Sequence, residues 1–333
     1  MSPPPKSPTI LTNMAFWQSP AWMKRVDSIY KLDPAKGDPK FKAWWREVWT
    51  LFRRGHSYNV VLTMGIRESF AYAALARLFG TRAKQIMCEV FIDQPAESPL
   101  WRLKTAFYKL LARDAIGFIT NSQAEIYTNS RRFEVPASRF IYVPLNSTIE
   151  EPAFAPAPEG YLFCAGRTLR DYDTLYKVMM ATDLPWQVVG GSKALTGAKL
   201  PDRITIHREI DRARYLELLR GARIVVLPLL PTERATGQVV LLEAMSFGKP
   251  CITTRAPGTV DIVSDGENGL FVESGDIEGM TARLRELVAD PARAERLGRA
   301  ALEHIQTHAT TARHTELRIQ AIESLYAAAH AAR

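Results

Sequence analysis

No apolar run in this 333-residue chain approaches the ~18 residues that a membrane-spanning helix needs. The Pro-rich start "MSPPPKSP" has no signal-peptide pattern. Cysteine is scarce: Cys88, Cys164 and Cys251 each lie inside an apolar, strand-like run, and none belongs to a C-x-x-C pair. An odd number of such thiols fits a reducing cytoplasm, argues against structural zinc, and reads as core filler. No G-x-G-x-x-G follows any strand-like segment, which argues against a dehydrogenase. There is no strong internal repeat and no low-complexity tract beyond the ends. Acidic residues are short in one half only. Residues 1–150 hold 21 Lys and Arg against 12 Asp and Glu, whereas the remainder hold 22 against 23, so the +8 of the whole chain sits in the first half. Six of the seven tryptophans lie there too. A basic, aromatic half should face something anionic. Nucleic acid is disfavoured, because no recognition motif accompanies the charge.

What is present is the composition of a globular protein, 47% apolar and 23% charged, in a chain long enough for two domains. After residue 55 short apolar runs alternate with helical patterns: "NVVLTM" (59–64), "QIMCEVFI" (85–92), "AIGFIT" and "RFIYVPL" are strands with helices between them. Ser122 and Glu125 form an S-x-x-E capping box at one helix start. Residues 150–159, "EEPAFAPAPE", read as a linker. A second alternating series follows, from "GYLFCAG" through "WQVVGG", "RITIH", "RIVVLPLL" and "PCITT" to "GLFV", and helices finish the chain. Strands of four to six apolar residues, each followed by a helix, mean parallel sheets with right-handed crossovers. The expected architecture is α/β: two Rossmann-like domains, 1–150 and 151–310, facing across a cleft, with a final helix from about 311 packing back on the first domain. Ligands on such sheets bind at the carboxyl ends of the strands.

One carboxylate stands out. In "TGQVVLLEAMSFGKPCITT" (236–254), Glu243 sits among Val239, Val240, Leu242, Met245 and Phe247, where the pattern leaves little room for a polar face. The helix starts near Gly237, and its free N–H groups suit a phosphate that glycine allows to come close. Glu243 lies roughly 9 Å further along the axis at 1.5 Å per residue, a span that fits a nucleotide with its ribose diol on the carboxylate. The alternative is a structural Glu bonded to backbone or paired with an Arg. The strand "YLFCAG" ends in "GRTLRDYD", from which Arg167 and Arg170 can reach the same diphosphate bidentately. "DYD" (171–173) matches a D-x-D metal motif, yet Asp171 stands where a helix N-cap belongs.

These segments, with "VVGG", "LPLL" and "GTVDIVSDGENGLFV", resemble the glycogen-synthase-like (group 1) retaining glycosyltransferases of the GT-B fold. The resemblance implies that Glu243 holds the donor ribose, that the amides of Gly237, Gln238 and Val239 meet phosphate, and that Arg167 and Arg170 clamp the diphosphate without a metal or other cofactor. Gly166 and Gly190 would flank the donor, and Arg208 to Ile210 would meet its base. Three positions depart from the family. Its second glutamate, eight residues before the ribose one, is replaced by Ala235, with Glu233 the nearest carboxylate. Its glycine-rich loop is absent from "ILTNMAFWQSP". Its histidine is absent after "CEVFIDQ", which offers Glu89 and Asp93 on the acceptor side.

Two stretches in the first half are basic and amphipathic. In 38–54, Phe41, Trp44, Trp45, Val48 and Phe52 share a face. In 98–113, Leu100, Leu103, Phe107, Leu110 and Leu111 do. Each either covers the parallel sheet or meets an anionic bilayer. The expected function is transfer of a sugar, with retention, from a nucleotide diphosphate sugar to a lipid-linked or saccharide acceptor, in the cytoplasm and peripheral on the inner face of the membrane. A nucleotide-sugar epimerase or a non-catalytic nucleotide-binding partner subunit are the alternatives.

Overall fold

The computed structural model describes residues 7–14, 19–30, 44–92, 98–191, 195, 197 and 199–331. The chain divides into two compact units, Met1–Val143 with Ala312–Arg333, and Pro144–Thr311.

The first unit is built on six parallel strands, β1 (Ile10–Thr12), β2 (Val26–Ser28), β3 (Val60–Met64), β4 (Lys84–Cys88), β5 (Gly117–Thr120) and β6 (Phe140–Tyr142), in the order β2-β1-β3-β4-β5-β6. Strand β4 stops short of the apolar run that suggested it, because Glu89 takes a φ of +52° and turns the chain out of the ladder. The helices are α1 (Pro20–Met23), α2 (Trp44–Gly55), α3 (Ile66–Phe79), α4 (Pro99–Ala112) and α5 (Gln123–Phe133). Ser98 and Ser122 cap α4 and α5 through their side chains. A long helix from the chain's end packs Ala321, Ile322 and Leu325 onto Ile10, Leu62, Ile86 and Ile119, where a side chain on Gly117 would collide with Leu325.

The two amphipathic helices depart from the simple covering role. In α2, Val48 and Phe52 are buried, but Trp44 and Trp45 are exposed, and Phe41 lies outside the described residues. In α4 only Leu111 of the five expected residues is buried; Leu100, Leu103, Phe107 and Leu110 face solvent. The helix docks instead through its aromatic side. Tyr108 stacks on Phe70 with centroids 4.0 Å apart, and Trp101 packs on the same core.

The second unit has strands β7 (Tyr161–Gly166), β8 (Trp186–Gly190), β9 (Ile204–His207), β10 (Ala222–Leu227), β11 (Cys251–Thr254) and β12 (Leu270–Val272), all parallel, in the order β12-β11-β10-β7-β8-β9. Its helices are α6 (Tyr172–Met180), α7 (Arg212–Arg220), α8 (Gln238–Ser246), α9 (Ile277–Ala289) and α10 (Pro291–His308); the terminal helix of the first unit is α11 (Thr311–Ala331). All three cysteines are buried, and burial pushes each thiol up to about 12, which keeps it unreactive. The stretch expected as a linker is tied down along this unit. Ala153 N donates to Ser246 O and Ala155 N to Phe247 O, both at 3.0 Å, and the buried Lys249 ammonium donates to Ala155 O and Arg220 O. From β7 the chain builds outward one way through β8 and β9, then the other way through β10, β11 and β12. Strand order therefore reverses between β7 and β10, and the crevice beyond their carboxyl ends is where such a sheet binds ligand.

Candidate functional site

A cavity of about 320 Å³ opens at those carboxyl ends. The end of β7 supplies Gly166 and Arg167, the end of β8 Gly190, the segment after β9 Arg208, Ile210 and Asp211, α7 Arg212 and Tyr215, and α8 Val239, Val240 and Glu243. Asp171 does not enter it. Its carboxylate accepts from Thr174 N at 3.0 Å and Thr174 Oγ1 at 2.7 Å, so it caps α6.

Arg170 lies under the β7 end and is only 8% exposed. Its Nε donates to Ala165 O at 2.7 Å, and its Nη1 reaches Thr168 O at 3.4 Å. A Cβ on Gly166, whose φ is +111°, would sit 2.6 Å from Nη2, so glycine is required for the guanidinium to pass under this turn. A Cβ on Gly237 (φ +83°), at the start of α8, would be 3.7 Å from Nη1. The cation therefore lies beside the helix N-terminus. Among the described residues no carboxylate comes within ion-pairing distance of it, and burial lowers its pKa, offset only in part by the Cys164, Tyr172 and Tyr215 side chains. A desolvated cation next to a helix N-terminus is a site for an anion. Arg167 is exposed and donates to Arg208 O at 3.1 Å, which joins the β7 end to the segment after β9.

Glu243 is 1% exposed yet edges the cavity. Its Oε2 accepts from the Tyr215 hydroxyl at 2.6 Å and its Oε1 from Thr148 Oγ1 at 2.5 Å, while Arg212 Nη1 lies 2.7 Å from Oε1. Burial, together with the carboxylate next to it, pushes the Tyr215 hydroxyl far above its ordinary pKa, so this group stays a donor. Arg212 is half exposed, whereas Tyr215 is more deeply set with its hydroxyl on the carboxylate. Both sequence readings of Glu243 thus meet in one residue: it is paired with an Arg, and it lines the pocket.

Residues 172–290 match the family model described as "Glycosyl transferases group 1". That stretch of the second unit is a group 1 glycosyltransferase segment. A D-inositol 3-phosphate glycosyltransferase of Arthrobacter sp. (strain FB24) is 26% identical over 269 residues, covering 70% of this chain and 62% of that protein. A sulfoquinovosyl transferase of Arabidopsis thaliana is 36% identical over 93 residues, 27% of this chain and 18% of its own length. The chain thus spans less than two thirds of these curated relatives. The crystal structure of Anabaena HepE in complex with UDP and glucose is similar in fold, with a TM-score of 0.71 at 15% identity over 95% of this chain and all of that one. Both six-stranded parallel sheets are those of the GT-B fold.

The glycosyltransferase domain gathers Gly166, Arg167, Gly190, Arg208, Ile210, Val239 and Glu243 around one cavity. Gly237 and Gln238 stand at the α8 start and Arg170 beneath it. Glu233 is exposed on the loop before α8 and does not line the cavity, while Ala235 is buried. Glu89 lies in the other unit, 3.4 Å from the wholly buried Arg318 of α11, and Asp93 falls outside the described residues. Sequence reasoning missed Thr148, Asp211, Arg212 and Tyr215. No motif marks them; only the Asp cap before "RARYLELL" hints that the first turn of α7 is ordered.

Proposed function

We propose that this protein is a retaining glycosyltransferase, acting in the cytoplasm and peripherally at a membrane, that moves a sugar from a nucleoside diphosphate sugar to a lipid-linked or saccharide acceptor. The observation that carries the reading is Arg170, a buried cation without a carboxylate partner among the described residues, beneath the cavity-lining Gly166 and beside the N-terminus of α8. The likeness to a structure holding UDP and glucose supports the same ligand class. In this reading the diphosphate lies on the α8 amides, with Arg167 and Arg170 around it and the ribose diol on Glu243. The bond between the anomeric carbon and the phosphate oxygen breaks first, and its electron pair leaves with the diphosphate. Arg167, Arg170 and the helix N-terminus stabilise that developing charge. The acceptor hydroxyl then bonds to the same face of the anomeric carbon, and its proton goes to the departed phosphate oxygen. Glu233 is the carboxylate nearest to where the family places one on the donor sugar.

The test pairs UDP-, GDP- and ADP-sugars with saccharide and lipid-linked acceptors and reads the product's anomeric configuration by NMR. Retained configuration, unaffected by EDTA, is expected, since the arginines supply the positive charge. Inversion, or activity lost to chelator and restored by Mg²⁺ or Mn²⁺, would overturn the mechanism.

Glu243→Gln tests the ribose assignment. Charge-assisted hydrogen bonds contribute about 1.5–3 kcal/mol, so affinity for a ribonucleoside diphosphate should fall roughly tenfold or more. The 2′,3′-dideoxy analogue offers no donors and should bind both proteins alike. Stability of the free protein should change by less than about 1 kcal/mol, because Arg212 is half exposed and returns to water. Equal losses for both nucleotides in calorimetry would remove Glu243 from the ribose.

A further inference from the structure

Fifteen large hydrophobic side chains are exposed among the described residues, and ten of them sit on the helices α2 to α5 of the first unit. These helices pack in succession, α2 on α3, α3 on α4 and α4 on α5, as one layer against the sheet. On α4 the residues Leu100, Leu103, Phe107 and Leu110 follow helical spacing and form an outward stripe, with Leu103 69% exposed. Only four of the fifteen belong to the second unit, spread as Met180, Leu230, Val239 and Val260. A soluble surface seldom collects this much apolar area without a partner.

Charge narrows what that partner is. The four helices contain ten Arg or Lys and three Glu, namely Glu47, Glu68 and Glu125. Eight of the ten basic residues are exposed and none of the three acidic ones is. A second copy of the chain would bring cation against cation, so an isologous dimer through this face is disfavoured. No described helix is long and apolar enough to cross a membrane. Apolar side chains interleaved with lysine and arginine instead suit a helix layer lying in the headgroup region of an anionic membrane, with Trp at the boundary.

We propose that the outward face of the α2–α5 layer docks on an anionic lipid bilayer, with the α4 stripe inserted and the surrounding cations on the headgroups. The inference rests on the membrane-peripheral part of the proposed function, not on sugar transfer, which is measured separately.

The experiment is sedimentation of the full chain with vesicles of phosphatidylglycerol and phosphatidylcholine, and with phosphatidylcholine alone. Binding is expected to the mixed vesicles, about tenfold weaker to the neutral ones, and weaker again in about 0.5 M salt, where charges are screened within a few ångströms. The variant Leu103→Gln/Phe107→Gln changes two exposed side chains. It should keep its melting temperature and nucleotide affinity while losing about tenfold in vesicle binding. Arg102→Gln/Lys104→Gln should lose the preference for anionic lipid. A natural chain that does not sediment with anionic vesicles overturns the proposal, as does a Leu103/Phe107 variant that binds them as well as the natural chain. Nucleotide binding absent from the natural chain, with vesicle behaviour as expected, would instead remove the catalytic reading and leave the docking surface standing.

Discussion

Arg170→Met is expected to cost the protein most of its affinity for nucleoside diphosphate while leaving the free protein at least as stable. The natural guanidinium is held under Gly166 by its bonds to Ala165 O and Thr168 O, 8% exposed and with no acidic partner among the described residues. The free protein therefore carries the cost of a desolvated cation, and an arriving phosphate offsets it. Removing one partner of a buried, hydrogen-bonded charge pair costs about 2–5 kcal/mol, a loss of roughly 30-fold to several thousandfold. In the absence of ligand the same change removes an unneutralised charge, which is neutral or stabilising when an apolar group of similar length takes its place. Arg170→Lys should fall between, because an ammonium cannot make the bidentate contact. Arg167→Met should lose less, about 1.5–3 kcal/mol, since its guanidinium is already in water. Titration calorimetry and thermal denaturation together decide the point. Unchanged affinity with a lowered melting temperature would make Arg170 a strut for the β7 turn rather than a ligand group.

Gly298→Ala should destabilise the second unit, against what helix propensity alone implies. Gly298 lies inside α10, where alanine ordinarily gains about 0.5–1 kcal/mol over glycine. Here an added Cβ would run into the carbonyl oxygen of Gly248, a backbone atom that cannot rotate aside. Gly248 itself has a φ of +63° in the turn that ends α8, and Phe154 covers its other side. Overpacking of this kind costs about 1–3 kcal/mol, so the net sign is reversed. For a unit of this size each kcal/mol moves the melting temperature by roughly 2–4 °C. Because the turn sets where α8 rests, nucleotide affinity should fall with it. Arg296→Ala, on an exposed position of the same helix, is the control that should change little. A Gly298→Ala protein that melts higher than the natural one would show that α8 and α10 have room to part.

From residue 59 onward the strands and helices of both sheets are legible in the sequence, because parallel strands buried on both faces are short apolar runs and the helices between them are periodic and capped. The sequence also determined most of the cavity. Gly166, Arg167, Gly190, Glu243 and their neighbours lie at strand ends and at the α8 start, and in a doubly wound sheet those positions converge whatever the side chains do. The three-residue β1 and β2 and the four-residue α1 were beyond reach, being too short to carry a period. What Glu243 touches is set by the tertiary fold. Tyr215 and Thr148 reach it from 28 and 95 positions away, across contacts that no local pattern encodes. That fold also decided which way α4 faces. A hydrophobic stripe shows that a helix is two-sided, but not which side wins the core. In α4 the stacking of Tyr108 on Phe70 and the packing of Trp101 turned the aromatic side inward, and four long apolar side chains were left outside.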